Sequence, residues 1–469
     1  MRLKLLTLAL TLAVLPLSGR SEDLLDAYRE ARANDPVLAL ADAQRLITSE
    51  NVPQARALLL PNLAGSVALN QSPSSSTGLG GGNNNFLCSG ISAGNGTYDC
   101  LPLQGKGNGA GGGHTRSRTI GATLGVPIVN LANWATLSAT RYSARAGDQT
   151  YDAASQLLYV RVTSAYFTVL TSEDALTFSK ANEDALKLTF DQADQRYKVG
   201  LSAITAVYQA KSQYELARAQ TITAQNNLAA AREALTQITG KPSENLKKLR
   251  EDLPMNPPSP DDPNQWVQDA IKNNPTILSQ QFTVQAAERS ISAARAGHLP
   301  TLNGTVTRSK TSSWSENGGS SSGTGNGSFG NTFGVTLSIP IFEGGATQSK
   351  VRQAIYQRDA AQDTLESNRR QVVYNVLNDY RIVVAGIAQV EAGKAAVDSG
   401  KKSVEATRAG FDVGTQTMID VLNAIQVLTN AQSTYSQNRH QFVLSQLQLK
   451  QDAGSIGMKD LEAVNALLQ

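Results

Sequence analysis

Leu60-Pro61-Asn62-Leu63-Ala64-Gly65-Ser66-Val67-Ala68-Leu69-Asn70 is the stretch from which the architecture can be read. Leu63, Gly65, Val67 and Leu69 alternate with Ala64, Ser66, Ala68 and Asn70, the period of a strand with one apolar and one small, polar face. Its opening returns 239 residues later as Leu299-Pro300-Thr301-Leu302, and Asn34-Asp35-Pro36 returns at the same offset as Asn273-Asn274-Pro275. Further along, Gly121-Ala122-Thr123-Leu124 and Pro127 match Gly334-Val335-Thr336-Leu337 and Pro340 at an offset of 213. Tyr166 matches Tyr380, and Val199-Gly200 matches Val413-Gly414, at 214. A longer glycine-rich stretch in the first copy absorbs the change of offset. The chain is therefore read as two internal repeats, 22–240 and 263–454, joined by a proline-rich linker, 241–262, and followed by a tail, 455–469.

Each repeat has the same order. A helix (37–60; 276–298) leads to a strand (63–70; 302–309), a polar loop (71–116; 310–330) and a second strand (117–128; 332–341). A long proline-free helix follows (131–198; 346–412), then a tip (199–203; 413–417) and a return helix (204–238; 418–453). At 1.5 Å per residue each long helix would reach about 100 Å. No globular domain buries such a rod, so it belongs to a coiled coil or a helical tube. The return helices agree: Val207, Tyr214, Thr221, Leu228 and Leu235 lie on one seven-residue lattice, as do Val421, Leu428, Tyr435 and Phe442. Their apolar seam is narrow, as expected of helices around a wet interior.

All four strands alternate in the same way. Ile120, Ala122, Leu124 and Val126 stand against Thr119, Gly121, Thr123 and Gly125; Phe333, Val335, Leu337 and Ile339 stand against Thr332, Gly334, Thr336 and Ser338. In a membrane barrel the apolar face meets lipid and the small polar face lines water. Membrane barrels need about eight strands or more, so four require several chains to close.

Met1–Ser21 has a basic start, an apolar run and small residues before Glu22, the order of a secretory signal peptide. In an oxidising compartment Cys88 and Cys100, the two cysteines, are expected to form a structural bridge. Beyond the leader the chain carries 39 basic against 39 acidic residues (42 minus Arg2, Lys4 and Arg20), which argues against nucleic acid. Three scattered histidines and two cysteines suggest neither a metal centre nor a cofactor. Gly240-Lys241-Pro242-Ser243 lacks the earlier glycine of a phosphate-binding loop. No catalytic residues are assigned, and the chain is not expected to be an enzyme.

The Leu-Pro strand entries, Pro127 and Pro340, Gln237-Ile238-Thr239-Gly240 and the two tips together resemble the TolC family of outer-membrane channel proteins. The tips read Arg196-Tyr197-Lys198-Val199-Gly200-Leu201-Ser202-Ala203-Ile204-Thr205 and Phe411-Asp412-Val413-Gly414-Thr415-Gln416-Thr417-Met418-Ile419-Asp420. The resemblance implies an α+β membrane protein: a homotrimer whose twelve-stranded outer-membrane barrel continues as a periplasmic α-helical tube, with a small mixed equatorial element from the linker and tail. It implies a passive exit duct for tripartite efflux or type I secretion. The implied partners are a periplasmic adaptor and an inner-membrane RND, ABC or MFS transporter. A non-conducting trimeric coiled coil of the envelope is the alternative.

The resemblance also implies sites. The adaptor would dock at Val199, Gly200, Leu201, Val413, Gly414 and Thr415. The family's acidic ring at the periplasmic entrance maps to Asp420 and Asn423, so one of its two carboxylates is replaced by an amide. Its closing arginine, tyrosine and aspartate map to Gln416, Phe411 and Ala206, and only Thr205 keeps its type. Closure is therefore expected to rest on packing around Phe411 and neutral hydrogen bonds from Gln416 and Thr205.

Overall fold

The computed structural model describes residues 22–74, 86–88, 100–102, 113–243, 245–317 and 320–469. The expected signal peptide and most of the 71–116 loop lie outside them. In chain order the elements are α1 (Leu24–Asn34), α2 (Pro36–Ala57), β1 (Asn62–Ser74), β2 (Phe86–Cys88), β3 (Cys100–Pro102), β4 (Gly113–Val129), α3 (Leu131–Lys198) and α4 (Ile204–Thr239). There follow α5 (Pro263–Asn273), α6 (Pro275–Ala296), β5 (Thr301–Asn317), β6 (Ser320–Asn326), β7 (Gly330–Ser338), α7 (Ala346–Asp412), α8 (Met418–Asp452) and α9 (Met458–Asn465). They form two compact units: Gln54–Thr136 with Ser292–Ser349, and the rest.

Two differences from the sequence reading concern element ends. A short helix, α1 or α5, precedes each expected first helix. Asp35 and Asn274 separate the pairs, because a residue before proline is pushed out of the helical region. Each caps the helix behind it: Leu38 N donates to Asp35 Oδ2 (3.0 Å) and Thr276 N to Asn274 Oδ1 (2.9 Å). The strands also run further into the loops than 63–70, 117–128 and 302–309. Ladder pairing continues through Ser and Thr residues once the apolar alternation has ended.

The helical unit is held by long-range seams. On α7, Val376, Val383, Val390, Val397 and Val404 recur every seven residues and all are buried. Beside them a glycine lattice receives the large residues of α8. A Cβ at Gly386 would lie 3.1 Å from the Phe442 ring, one at Gly393 3.3 Å from Tyr435, and one at Gly400 3.2 Å from Leu428. The two helices thus pack antiparallel with bulky knobs over glycine notches.

The linker is woven into this unit. Glu22 bridges to Leu246 and Leu249 to Leu468. Tyr166 Oη donates to the Lys247 carbonyl (2.9 Å), and Arg439 donates to the carbonyls of Leu249 and Arg250. Leu24, Tyr28, Tyr166, Trp266, Phe442 and Leu461 are buried around that junction. The return helices end alike: Gly240 (φ +76°) rests on Asn34, and Gly454 (φ +71°) rests on Asn273. A Cβ at Gly454 would lie 2.6 Å from the Asn273 carbonyl, so no side chain fits there.

Candidate channel wall and hairpin tips

In the smaller unit the antiparallel sheet runs β1-β4-β5, with β6 and β7 successively pairing the far side of β5. Its wall is therefore four strands wide. The register sorts the side chains. Leu63, Leu124, Val306 and Phe333 fall in one cross-strand row, and Val126, Gly304 and Val335 in the next. Phe333 is 76% exposed and Val335 70%, so among the described residues nothing covers this face. On the other face Thr119 meets Thr311 (3.0 Å between hydroxyls) and Thr123 meets Thr307 (3.3 Å), among Ala64, Ser66, Gly121, Thr305 and Thr336. Among the described residues β1 and β7 each pair on one side only, leaving two open edges. Among the described residues no helix is long and apolar enough to cross a membrane.

Cys88 stands directly opposite Cys100 in the β2–β3 pair. Directly opposed residues in antiparallel strands have Cα atoms about 4.5–5.5 Å apart, within disulfide reach.

The tips of the larger unit are two reversals of one design. After α3, Leu201 N donates to the Arg196 carbonyl (2.8 Å) and Gly200 N to that of Tyr197 (2.9 Å), with Gly200 at φ +75°. After α7, Thr415 N donates to the Gly410 carbonyl (2.8 Å) and Gly414 N to that of Phe411 (3.2 Å), with Gly414 at φ +82°. Both are Schellman closures that need a left-handed residue. Val199, Leu201 and Val413 stay largely exposed, at 67%, 76% and 77%. One core unites the hairpins: Leu186, Ala193, Val207, Ala210, Val404, Met418, Val421 and Ile425, with Phe190, Tyr214 and Phe411 packed against it.

These features match a known family. A profile described as "Outer membrane efflux protein" matches residues 27–241 and 266–455. The chain belongs to the outer membrane efflux protein family. It is 32% identical to outer membrane protein TolC of Escherichia coli (strain K12), over 96% of this chain and 86% of that protein. It is 27% identical to the alkaline protease secretion protein AprF of Pseudomonas aeruginosa, over 68% of this chain and 66% of that one. A crystal structure of CusC superposes with a TM-score of 0.73 at 18% identity, covering 95% of this chain and 96% of that one, which supports the fold. Like the family, this protein is an outer-membrane efflux protein.

Within this efflux protein the candidate entrance residues have definite settings. Asp420 completes a capping box at the start of α8. Its carboxylate accepts from Thr417 N (2.8 Å) and Oγ1 (2.6 Å), while Asp420 N donates to Thr417 Oγ1 (3.3 Å). The bonds from the Thr417 side chain and backbone hold the Asp420 carboxyl below its ordinary range. Asn423, Gln416 and Thr205 are exposed. Gln416 lies over Gly410, where a Cβ would meet its Cγ at 2.6 Å. Among the described residues no hydrogen bond from the Gln416 or Thr205 side chain joins the hairpins. Phe411 does join them: the Arg196 guanidinium carbon lies 4.6 Å from its ring centroid. Arg196 was missed in the sequence. Its one signal was a cation four residues before the tip glycine, at the level where an aromatic precedes the other.

Proposed function

We propose that three copies of this chain close a barrel and form the passive exit duct of a tripartite efflux pump or a type I secretion system. The observation that carries this reading is the two-faced sheet with open edges. In lipid an unpaired strand edge leaves backbone groups unsatisfied at several kcal/mol each, so β1 of one copy must find β7 of the next. Four strands from each of three copies give about twelve, within the range of membrane barrels. The exposed apolar face then meets lipid, and the threonine and glycine face lines water.

The two-repeat organisation is supported by the matched ends at Gly240 and Gly454. The seam of Glu22, Leu246, Leu249 and Leu468 supplies the equatorial element. The tips serve as docking points for the helical hairpins of a periplasmic adaptor, through exposed Val199, Leu201 and Val413 beside Gly200, Gly414 and Thr415. An inner-membrane transporter supplies energy, and this chain performs no catalysis. Asp420, repeated in each copy, provides an acidic ring at the entrance with Asn423 beside it.

Single-channel recording of the purified protein in a planar bilayer tests the proposal. A cation-preferring conductance is expected, and it should rise when the tips are weakened. Complete absence of conductance in both cases would leave the chain a structural rod.

A further inference from the structure

The charges of the sheet are confined to one face. In β1, β4, β5 and β7 the lysines and arginines are Arg116, Arg118, Arg308 and Lys310. The register places all four on the apolar, outward face: Arg308 opposite Ala122, Lys310 opposite Ile120, Arg118 opposite Ser312 and Arg116 opposite Trp314. The water-lining face carries none at its described strand positions, only Ala, Gly, Ser, Thr and Asn apart from Pro127. A channel that merely needed solvated charge would place it inward. A cation facing acyl chains at mid-membrane is strongly disfavoured, so these groups must lie at headgroup level.

Their height agrees. In β7 the apolar face runs from Leu337 through Val335 to Phe333, and exposed Ile339, Ile341 and Phe342 follow beyond the strand's end at Ser338. Arg308 stands opposite Asn331, one outward-facing step beyond Phe333, and Lys310, Arg118 and Arg116 follow toward the loops. Phe329 marks the boundary: its ring centroid lies 5.3 Å from the Arg308 guanidinium carbon and 6.0 Å from the Lys310 ammonium. Arg116 donates to Gln71 Oε1 (3.2 Å), and Glu316 occupies the next register position past Trp314. Arg118, Arg308 and Lys310 lie nearer the band.

We infer that Arg118, Arg308 and Lys310 form a docking belt for the phosphate groups of the phosphorylated glycolipid in the outer leaflet. The inference rests on the outer-membrane barrel reading and adds a specific lipid contact to it. Guanidinium groups pair with phosphate oxygens in a fixed fork, and an ammonium adds a point charge between them. Acyl chains of the same lipid then descend over Val306, Phe333 and Val335. The source is the lipid and not free phosphate, because the cations border an apolar wall that only an amphiphile would cover.

The test is native mass spectrometry of the detergent-purified full-length protein with bis-phosphorylated lipid A and with the same lipid dephosphorylated. The wild type should bind the phosphorylated form at least about tenfold more tightly. The triple variant Arg118→Gln, Arg308→Gln, Lys310→Gln should lose that preference, and inorganic phosphate at equal concentration should not displace the lipid. Equal binding of the two lipids by the wild type overturns the belt even if the variant fails to assemble. So does an undiminished preference in an assembled variant. Planar-bilayer conductance, recorded without lipid A, separates the two claims: a conducting protein blind to phosphate refutes the belt alone, and one that conducts neither as wild type nor with weakened tips refutes the duct.

Discussion

Arg196, in the last turn of α3, stacks its guanidinium over the ring of Phe411, in the last turn of α7, at 4.6 Å. This contact ties two hairpins whose tips otherwise reverse independently. A cation–π pair at a partly exposed site contributes about 0.5–2 kcal/mol. Phe411→Ala or Arg196→Ala should therefore raise the open-state population several-fold in single-channel records, and Arg196→Lys should fall between them and wild type. Unchanged open probability in both alanine variants would remove the pair from closure.

Asp420 has two assignments that separate experimentally. As the third residue of a capping box it stabilises α8, and as an entrance carboxylate it attracts cations. Asp420→Ala should lower the melting temperature slightly, through loss of the capping box, and abolish most block by multivalent cations added from the periplasmic side. Asn423→Ala should leave block nearly intact. Because the folded carboxyl lies below its ordinary value of 3.8, block should persist as pH falls to about that value. Block that fades near pH 5 would point to a different acid.

Asp379 and Asp452 face each other across α7 and α8. Burial first, and then the charge of Asp452, push the Asp379 carboxyl up to about 7. The folded chain thus holds a proton that the unfolded chain releases near 3.8, so this contribution is complete below pH 3.8 and is lost as pH rises through 7. Asp379→Asn should be more stable than wild type at pH 8, by about 1–2 kcal/mol once solvent screening of a half-buried pair is allowed for, and nearly equal at pH 4. Thermal melts at both pH values measure this.

His440 has the opposite slope. Its Nδ1 lies 2.7 Å from Thr171 Oγ1 and its ring stacks on Phe167 at 5.4 Å. Burial pulls its pKa down to about 4 from 6.5. Its contribution is whole above 6.5 and is lost as pH falls toward 4, since the unfolded imidazole protonates first. His440→Gln should flatten the melting temperature between pH 6.5 and 4, at some cost at neutral pH. A profile as steep as wild type would exclude His440 as its source.

The glycine notches of α7 admit a steric test. Gly386→Val places methyl groups where the Phe442 ring already lies 3.1 Å from an added Cβ. Overpacking of this kind costs about 1–3 kcal/mol. Pairing it with Phe442→Leu should recover part of the loss in denaturant titrations.

Strand faces and long helices were legible in the sequence because their signals are periodic. Thr123 and Thr307 are 184 residues apart, yet each already stood on the small polar side of its own strand. Helix ends were read less well. Asp35 and Asn274 look like turn residues, and only the coordinates show each capping one helix while ending another. At the tips the sequence singled out Asp420 but not Arg196. A lone arginine on a helix gives no hint of its aromatic partner 215 residues away (411 minus 196). Gly386, Gly393 and Gly400 look like helix weaknesses until the residues of α8 are seen above them.

The open edges at β1 and β7 have a genetic consequence. Each copy in the proposed trimer completes the barrel of both its neighbours, so a chain that folds its helices but cannot pair one edge would spoil every assembly it joins. Where half the chains carry such a lesion, only about one assembly in eight would be made wholly of sound copies. An edge-blocking allele should therefore be dominant over the wild-type gene, whereas an allele that prevents export altogether should be recessive.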